Sequence, residues 1–137
     1  MSVTPGTDRA LTATQDQRVD LVLSDPYAPN KSAAQYLNPA AFAQPATGTY
    51  GNLGRNTVAG PRNIRIDMGL TRTFQVREKQ SIEFRAEAFN VPNYVNLGNP
   101  SAANLNLSSS NFGKILSTAT GSAGDPRVMQ LALKYVF

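Results

Sequence analysis

The sequence predicts an all-β protein made of antiparallel hairpins, long loops rich in Pro, Gly and Asn, and one or two single helical turns. Its second half contains stretches in which apolar and polar residues alternate with a period of two, the pattern of a strand with two different faces. Nine Pro and ten Gly among 137 residues favour turns over long helices. No apolar run approaches the ~20 residues of a membrane-spanning helix. The length accommodates one domain or a piece of a larger one.

The clearest strand is formed by the last eleven residues, 127–137. Every second residue is large and apolar, while the residues between them are smaller or polar. In strands of outer-membrane barrels one face meets lipid and the other faces the lumen. An aromatic last residue on the apolar face therefore favours hairpins of outer-membrane-barrel type, with an assembly strand whose apolar residues are Met129, Leu131, Leu133, Tyr135 and Phe137.

Residues 64–89 are predicted to form a hairpin, because two alternating runs flank the short polar link VREKQ. On the opposite face, the basic residues Arg65 and Arg85 could offset the neighbouring Asp and Glu residues. Arg72 interrupts the apolar face near the predicted strand end. It could snorkel to water at a membrane interface, or equally lie at the rim of a soluble sheet. The apolar face of the hairpin is formed by Ile64, Ile66, Met68, Leu70, Phe74, Ile82 and Phe84.

Residues 1–61 are predicted to be a loop-rich segment with one short strand at 18–23. Single helical turns are expected where Ser32 and Gln35 form a capping-box pattern and where Asn38 precedes Pro39. A connection this long needs something to hold it, whether a barrel wall, a partner or further copies of the chain. Residues 62–137 are predicted to be an antiparallel β segment, with the hairpin 64–89, a loop at 90–111 and a second hairpin at 112–137.

Four asparagines recur every three residues in the predicted loop, at positions 90, 93, 96 and 99. One interpretation is a set of Asx turns, in which the side chain binds the nearby backbone. The other is a stacked asparagine ladder in a repetitive assembly.

The composition argues against an enzyme. The chain has no Cys and no His, which excludes a Cys/His zinc site, a histidine base and a cysteine nucleophile. Glu83 and Glu87 flank Arg85, which fits a charged row better than an acid–base pair. The net charge of +4 comes from residues 61–137, where basic and acidic residues alternate, so no nucleic-acid binding is expected. We expect no catalytic residue, no cofactor and no metal.

From about residue 8 to its last residue, the chain resembles a known family. The run GPRNIRIDMGLTRTFQVREKQSIEFRAEAFNVPNYVNLGNP, followed by FGKI and DPRVMQLALKYVF, is similar to the carboxyl-terminal region of TonB-dependent outer-membrane receptors. The closest group is the Oar-like type with a carboxypeptidase-regulatory-like domain. The resemblance implies a 22-stranded barrel with a plug, which takes up ligands. A chain of this length has room for roughly four to six wall strands of ~9–11 residues each.

Two functions remain open at this point. The chain could supply the closing strands of such a receptor barrel, with remaining barrel chains as its partners. The alternative is a self-assembling extracellular filament subunit that polymerises by β-strand addition between copies. Either function predicts an outer-membrane or extracellular location at the surface of a Gram-negative-type bacterium.

Overall fold

A computed structural model describes the backbone of all 137 residues and every side chain except that of Ser122. Along this chain, seven strands form three antiparallel sheets, accompanied by three short 3-10 turns, which confirms the predicted all-β class. The chain forms two compact units. Unit 1 comprises Met1–Arg62 and Leu97–Ala119, and unit 2 comprises Asn63–Asn96 and Thr120–Phe137.

Unit 1 contains two small sheets. Strand β1 (Asp20–Leu21) pairs with β4 (Phe42–Ala43), so the strand predicted at 18–23 is shorter than expected. Strand β2 (Tyr27–Ser32) pairs with β3 (Gln35–Leu37). The helical turn predicted from Ser32 and Gln35 is wrong. The Gln35 N–H does donate to the Ser32 hydroxyl, at 3.3 Å, but this hydrogen bond closes the β2–β3 turn.

The helical turn predicted at Asn38 and Pro39 is present. Pro39–Ala41 form a 3-10 turn, and the Asn38 side chain accepts a hydrogen bond from the Ala40 N–H at 3.1 Å. Proline is suited to the first position because its fixed φ is helical and it has no N–H to leave unpaired. A second 3-10 turn, Ala102–Leu105, begins similarly, with Ser101 as its N-cap.

A hydrophobic core holds unit 1 together. Leu37 and Val19 are fully buried, and the rings of Phe42 and Phe112 pack edge to face with centroids 5.4 Å apart. These residues come from distant parts of the chain. The loop-rich segment therefore packs on other parts of its own chain, so it does not need the expected barrel wall, partner or further copies to hold it. The sequence did not reveal this core because its apolar residues follow no period.

The predicted strand at 112–119 and the hairpin at 112–137 do not form. Gly113 instead adopts a positive φ of +74°, and its carbonyl accepts hydrogen bonds from the N–H groups of Tyr36 and Leu37 at 2.8 and 3.1 Å. A side chain at this position would crowd the Leu37 backbone. The segment at 112–119 is thus hydrogen-bonded to β3 and does not pair with the terminal strand.

Unit 2 contains one three-stranded antiparallel sheet in the order β5-β6-β7. The hairpin predicted at 64–89 forms from β5 (Met68–Arg77) and β6 (Gln80–Phe89), with the turn at Glu78 and Lys79. The terminal strand β7 (Val128–Val136) pairs with β6 along its whole length. A 3-10 turn, Gly121–Gly124, precedes it. Three strands of the described chain have membrane-spanning length, fewer than the four to six expected.

Asparagine side chains replace regular strand pairing just before β5. The buried amide of Asn96 accepts from the Ile64 N–H at 2.7 Å and donates to the Ile64 carbonyl at 2.9 Å. Asn90 has a positive φ of +50° and binds both backbone groups of Tyr94. The Asn90 amide thus stabilises a local turn, as one interpretation predicted, whereas the Asn96 amide joins segments 32 residues apart, which neither interpretation predicted.

Candidate functional site

The sheet of unit 2 carries an apolar face that runs across all three strands. The pairing register sets the even-numbered residues of β5 and β6 beside the odd-numbered residues of β7. Side chains in one cross-strand row project to the same side of a sheet. The four rows, each in the order β5, β6, β7, are Met68, Ala88 and Met129; Leu70, Ala86 and Leu131; Arg72, Phe84 and Leu133; and Phe74, Ile82 and Tyr135.

This face is open to its surroundings. Leu131 and Leu133 are 77% and 73% exposed, and Met68 and Leu70 are exposed as well. A contiguous apolar surface of this kind marks a contact with lipid or with another protein. The face therefore needs an apolar covering.

The opposite face of the sheet is polar. Glu83 lies beside Lys134 in the pairing register, and Arg85 lies beside Thr71. As the sequence predicted, Arg85 offsets the acidic residues, with side-chain nitrogens 4.0 Å from Glu83 and 3.7 Å from Glu87. These pairs are half exposed, so each contributes about 0–1 kcal/mol. This face suits contact with water.

The two ends of the sheet differ. At one end β5 and β6 meet in the two-residue turn Glu78–Lys79, and at the other end residues 90–127 connect β6 to β7. Barrels of the outer membrane combine short periplasmic turns with longer extracellular loops. The chain ends at the turn end, where the rings of Tyr135 and Phe137 lie 6.1 Å apart and Phe137 is 90% exposed.

Arg72 is not near the end of its strand, because β5 continues to Arg77. Its guanidinium lies over the Phe74 ring, 5.2 Å from the centroid, and so reaches towards the turn end. Its cross-strand row adjoins the row of Phe74, Ile82 and Tyr135, which is the last of the four rows before the turn end. Snorkelling towards that end is therefore physically reasonable.

Three of the predicted apolar-face residues lie outside the strands. Ile64 and Ile66 precede β5, where the Ile66 carbonyl accepts a hydrogen bond from the Val91 N–H at 2.9 Å. Phe137 follows the last residue of β7. The remaining predicted residues all lie in the cross-strand rows.

A salt-bridged corner lies at the start of β5. The Arg65 guanidinium binds Asp67 at 2.8 Å and reaches Asp125 at 3.8 Å. The backbone N–H of Asn90, together with Arg65, holds the pKa of the Asp67 carboxyl below its ordinary value. This corner joins the chain just before β5 to the chain just after β6.

The apolar face also has a hollow that the sequence analysis missed. Ala86 and Ala88 in the central strand are small, and the larger side chains of β5 and β7 flank them, leaving a groove of about 520 Å³. In the sequence FRAEAFN, Ala occupies two successive positions of the apolar face. These small residues indicate a groove only when the neighbouring strands, with their larger side chains, are known.

Both outer strands of the sheet have a free edge. In the order β5-β6-β7, β6 is paired on both sides, whereas β5 and β7 each pair on one side within the described chain. A free edge presents unpaired N–H and C=O groups, which another strand can satisfy.

The described residues show no arrangement for metal binding, since no three Asp or Glu side chains among them are grouped to hold an ion. None of the helical turns among the described residues is long and apolar enough to cross a membrane.

Comparison with known protein families finds a match over most of the chain. The family model described as "Outer membrane beta barrel domain" matches residues 1–130, which is most of the chain. No curated protein and no solved structure was found to match.

Proposed function

Because the chain belongs to the family of outer-membrane β-barrel domains, and is thus a protein of the Gram-negative outer membrane, we propose that it supplies closing wall strands of a TonB-dependent receptor-type barrel. In this role β5, β6 and β7 form part of the wall, and the complete barrel takes up a ligand. The role is non-enzymatic.

One observation carries the proposal: β7 extends the apolar face of the β5–β6 hairpin in register. The strand closest to the carboxyl terminus thereby joins a wall with one lipid-compatible face and one polar face. Ion pairs such as Arg85 with Glu87 would then face the lumen, where water screens them.

The aromatic residues indicate which end of the sheet would face the periplasm. Phe74, Tyr135 and Phe137 gather at the turn end of the sheet, and Arg72 reaches towards them. Aromatic girdles flank the apolar band of outer-membrane barrels at both interfaces. In the proposed wall, this end of the sheet lies at the periplasmic interface.

Closure of the barrel requires further strands. The free edges of β5 and β7 each need a neighbour, because lipid cannot satisfy unpaired backbone groups. We propose that the remaining barrel strands provide both neighbours. By resemblance to the receptor family, the terminal strand ending in Phe137 is also the segment that the assembly machinery binds.

Membrane fractionation tests this proposal. The native protein should be found in the outer-membrane fraction, and deletion of Phe137 should remove it from that fraction. The matched control is Phe137→Tyr, which keeps an aromatic ring at the terminus and should fractionate like the unaltered protein. A native protein recovered in the soluble fraction would contradict the proposal.

The free edges also favour a second candidate, an extracellular filament subunit that adds strands between copies. Pairing of β7 in one copy with β5 in the next would satisfy both edges, and repetition of this head-to-tail contact would build a filament. Electron microscopy of concentrated purified protein distinguishes the two. Uniform monomers would rule out the filament, and ordered fibres would rule out the barrel wall as its working form.

A further inference from the structure

Unit 1 contains a cleft that neither proposed function uses. Two adjoining hollows of about 370 and 430 Å³ share the lining residues Asp16, Gln17, Arg18 and Arg55. We call them together the arginine cleft. Their sizes are those of small-ligand sites. Unit 1 has its own hydrophobic core, so the cleft forms independently of how the sheet of unit 2 is used.

The two arginines of the cleft are exposed and available. Neither Arg18 nor Arg55 makes an ion pair with any described side chain. A guanidinium offers several N–H donors in a fixed planar fork that matches carboxylate and phosphate groups. Two such groups lining one cleft favour an anionic ligand.

The backbone on either side of Arg18 is anchored by buried neighbours. Its neighbours Gln17 and Val19 are both buried, and the Val19 carbonyl accepts a hydrogen bond from the Leu53 N–H at 3.0 Å. Gly51 packs directly on the Val19 backbone, where any side chain would clash. Arg18 is thus presented from a fixed support and loses little backbone freedom when a ligand binds.

The segment that carries Arg55 is also anchored on both sides. Leu53 and Val58 are buried in the core, and the Thr57 hydroxyl donates to the Gly54 carbonyl at 3.0 Å. The side chain of Asn52 binds the backbone of Leu21, and the Asn52 N–H donates to the Asp20 carboxylate at 2.9 Å. These contacts clamp the segment at 51–58 against the segment at 17–21.

The remaining lining residues define the rest of the ligand. Tyr50 is 66% exposed and offers the face of a ring, while the Asp16 carboxylate can accept hydrogen bonds from hydroxyl groups. Ser2 and Asn56 add further polar groups to the first hollow. We infer that the arginine cleft binds a sugar carrying a carboxylate or a phosphate, with the acid group on Arg18 and Arg55 and the sugar ring against Tyr50.

Isothermal titration calorimetry on the full chain in detergent micelles tests this inference. The probes are a glucuronate-containing disaccharide, glucose 6-phosphate, the neutral disaccharide cellobiose and inorganic phosphate. At least one sugar acid should bind with a Kd below about 1 mM, and the neutral sugar should bind at least about tenfold more weakly. The sugar acid that binds more tightly shows whether the cleft prefers a carboxylate or a phosphate.

The variants Arg18→Gln and Arg55→Gln should each weaken binding by about 10- to 100-fold, as expected for charge-assisted hydrogen bonds. The matched control is Arg62→Gln, which removes an exposed arginine of unit 1 that does not line the cleft and should leave the Kd unchanged. Arg18→Lys keeps the charge without the forked geometry, so its Kd should lie between those of the unaltered protein and Arg18→Gln.

Three results would overturn the inference: no binding of either sugar acid, equal binding of the neutral sugar, or inorganic phosphate binding as tightly as the tighter of the two sugar acids. If a glutamine variant fails to fold, the unaltered chain still decides the question. Saturating sugar acid should then shift the NMR signals of the Arg18 and Arg55 side-chain N–H groups, and unchanged signals would refute the site.

Discussion

At the scale of single residues, buried amide side chains replace regular hydrogen-bond ladders. The Gln17 carbonyl oxygen accepts from the N–H groups of Arg9 and Ala10, at 2.8 and 2.9 Å, while its NH2 group donates to neighbouring oxygens. Asn96 similarly binds three backbone groups. Buried backbone groups in loops must find such partners, because water cannot reach them.

We expect Asn96→Ala to destabilise unit 2 by about 1–3 kcal/mol, since it leaves the partly buried backbone groups of Ile64 and the Ala123 carbonyl without their hydrogen-bond partner. Denaturant titration of the protein in micelles measures the effect. Asn99→Ala is the matched control, because Asn99 is exposed, and it should change the free energy of unfolding by less than about 0.5 kcal/mol. Equal effects of the two substitutions would contradict the role given to Asn96.

The second residue-scale prediction concerns pH. The Thr12 N–H donates to the Asp8 carboxylate at 3.0 Å and, with the Gln17 amide and the Ala13 N–H, holds the pKa of Asp8 below its ordinary value. A lowered pKa means that the folded loop favours the ionised form. Its stabilising contribution is complete above the unfolded pKa of about 4 and is lost as the pH falls through the lower folded pKa.

The hydrogen-exchange protection of the Thr12 and Ala13 amides should therefore fall as the pH is lowered from 6 into the range below about 4, after correction for intrinsic exchange rates. In the Asp8→Asn variant this pH dependence should disappear. An unaltered protein whose protection at these amides is constant across that range would show that the carboxylate does not hold the loop.

At the scale of the element, β7 combines two surfaces on one strand. Leu131 lies in the row of Leu70 and Ala86 on the apolar face, and its neighbour Gln130 lies beside Glu87 on the polar face. A strand of this kind tolerates charge on one side only. The difference can be measured with two substitutions one residue apart.

In the proposed barrel wall, Leu131→Arg should destabilise the folded protein in lipid vesicles by about 3 kcal/mol, because it would place a charge on the lipid-facing side of the sheet. Gln130→Arg introduces the same side chain beside Glu87 and should cost less than about 1 kcal/mol. Folding into vesicles, followed by denaturant titration, compares them. Similar costs for both variants would contradict the assignment of the two faces.

At the scale of the whole molecule, the chain divides into two units that are stabilised differently. Unit 1 has buried apolar residues at its centre, such as Leu37, whereas unit 2 has an extended sheet whose large apolar residues are mostly exposed. The first unit is stabilised by burial of apolar area within the chain. The second unit depends on whatever covers its apolar face.

Leu37→Ala should cost about 2–5 kcal/mol, since it leaves a cavity in a close-packed core. We expect the loss of hydrogen-exchange protection to fall in residues 1–62 and 97–119. Leu23→Ala, at a position that is half exposed, should cost less than about 1 kcal/mol. Loss of protection spread evenly over the whole chain would show that the two units unfold as one.

The all-β class, the two faces of the long strands, the β5–β6 hairpin and the helical turn at Asn38 can all be predicted from the amino-acid sequence. Each of these is encoded locally, in a period of two or in a capping residue followed by proline. The folded chain was needed to show which strand β7 pairs with, how residues 112–119 enter the core of unit 1, and that Arg18 and Arg55 line one cleft. Alternation specifies which side of a strand is apolar, but it does not specify the neighbouring strand. Pairing and burial are settled by contacts between residues far apart in the chain.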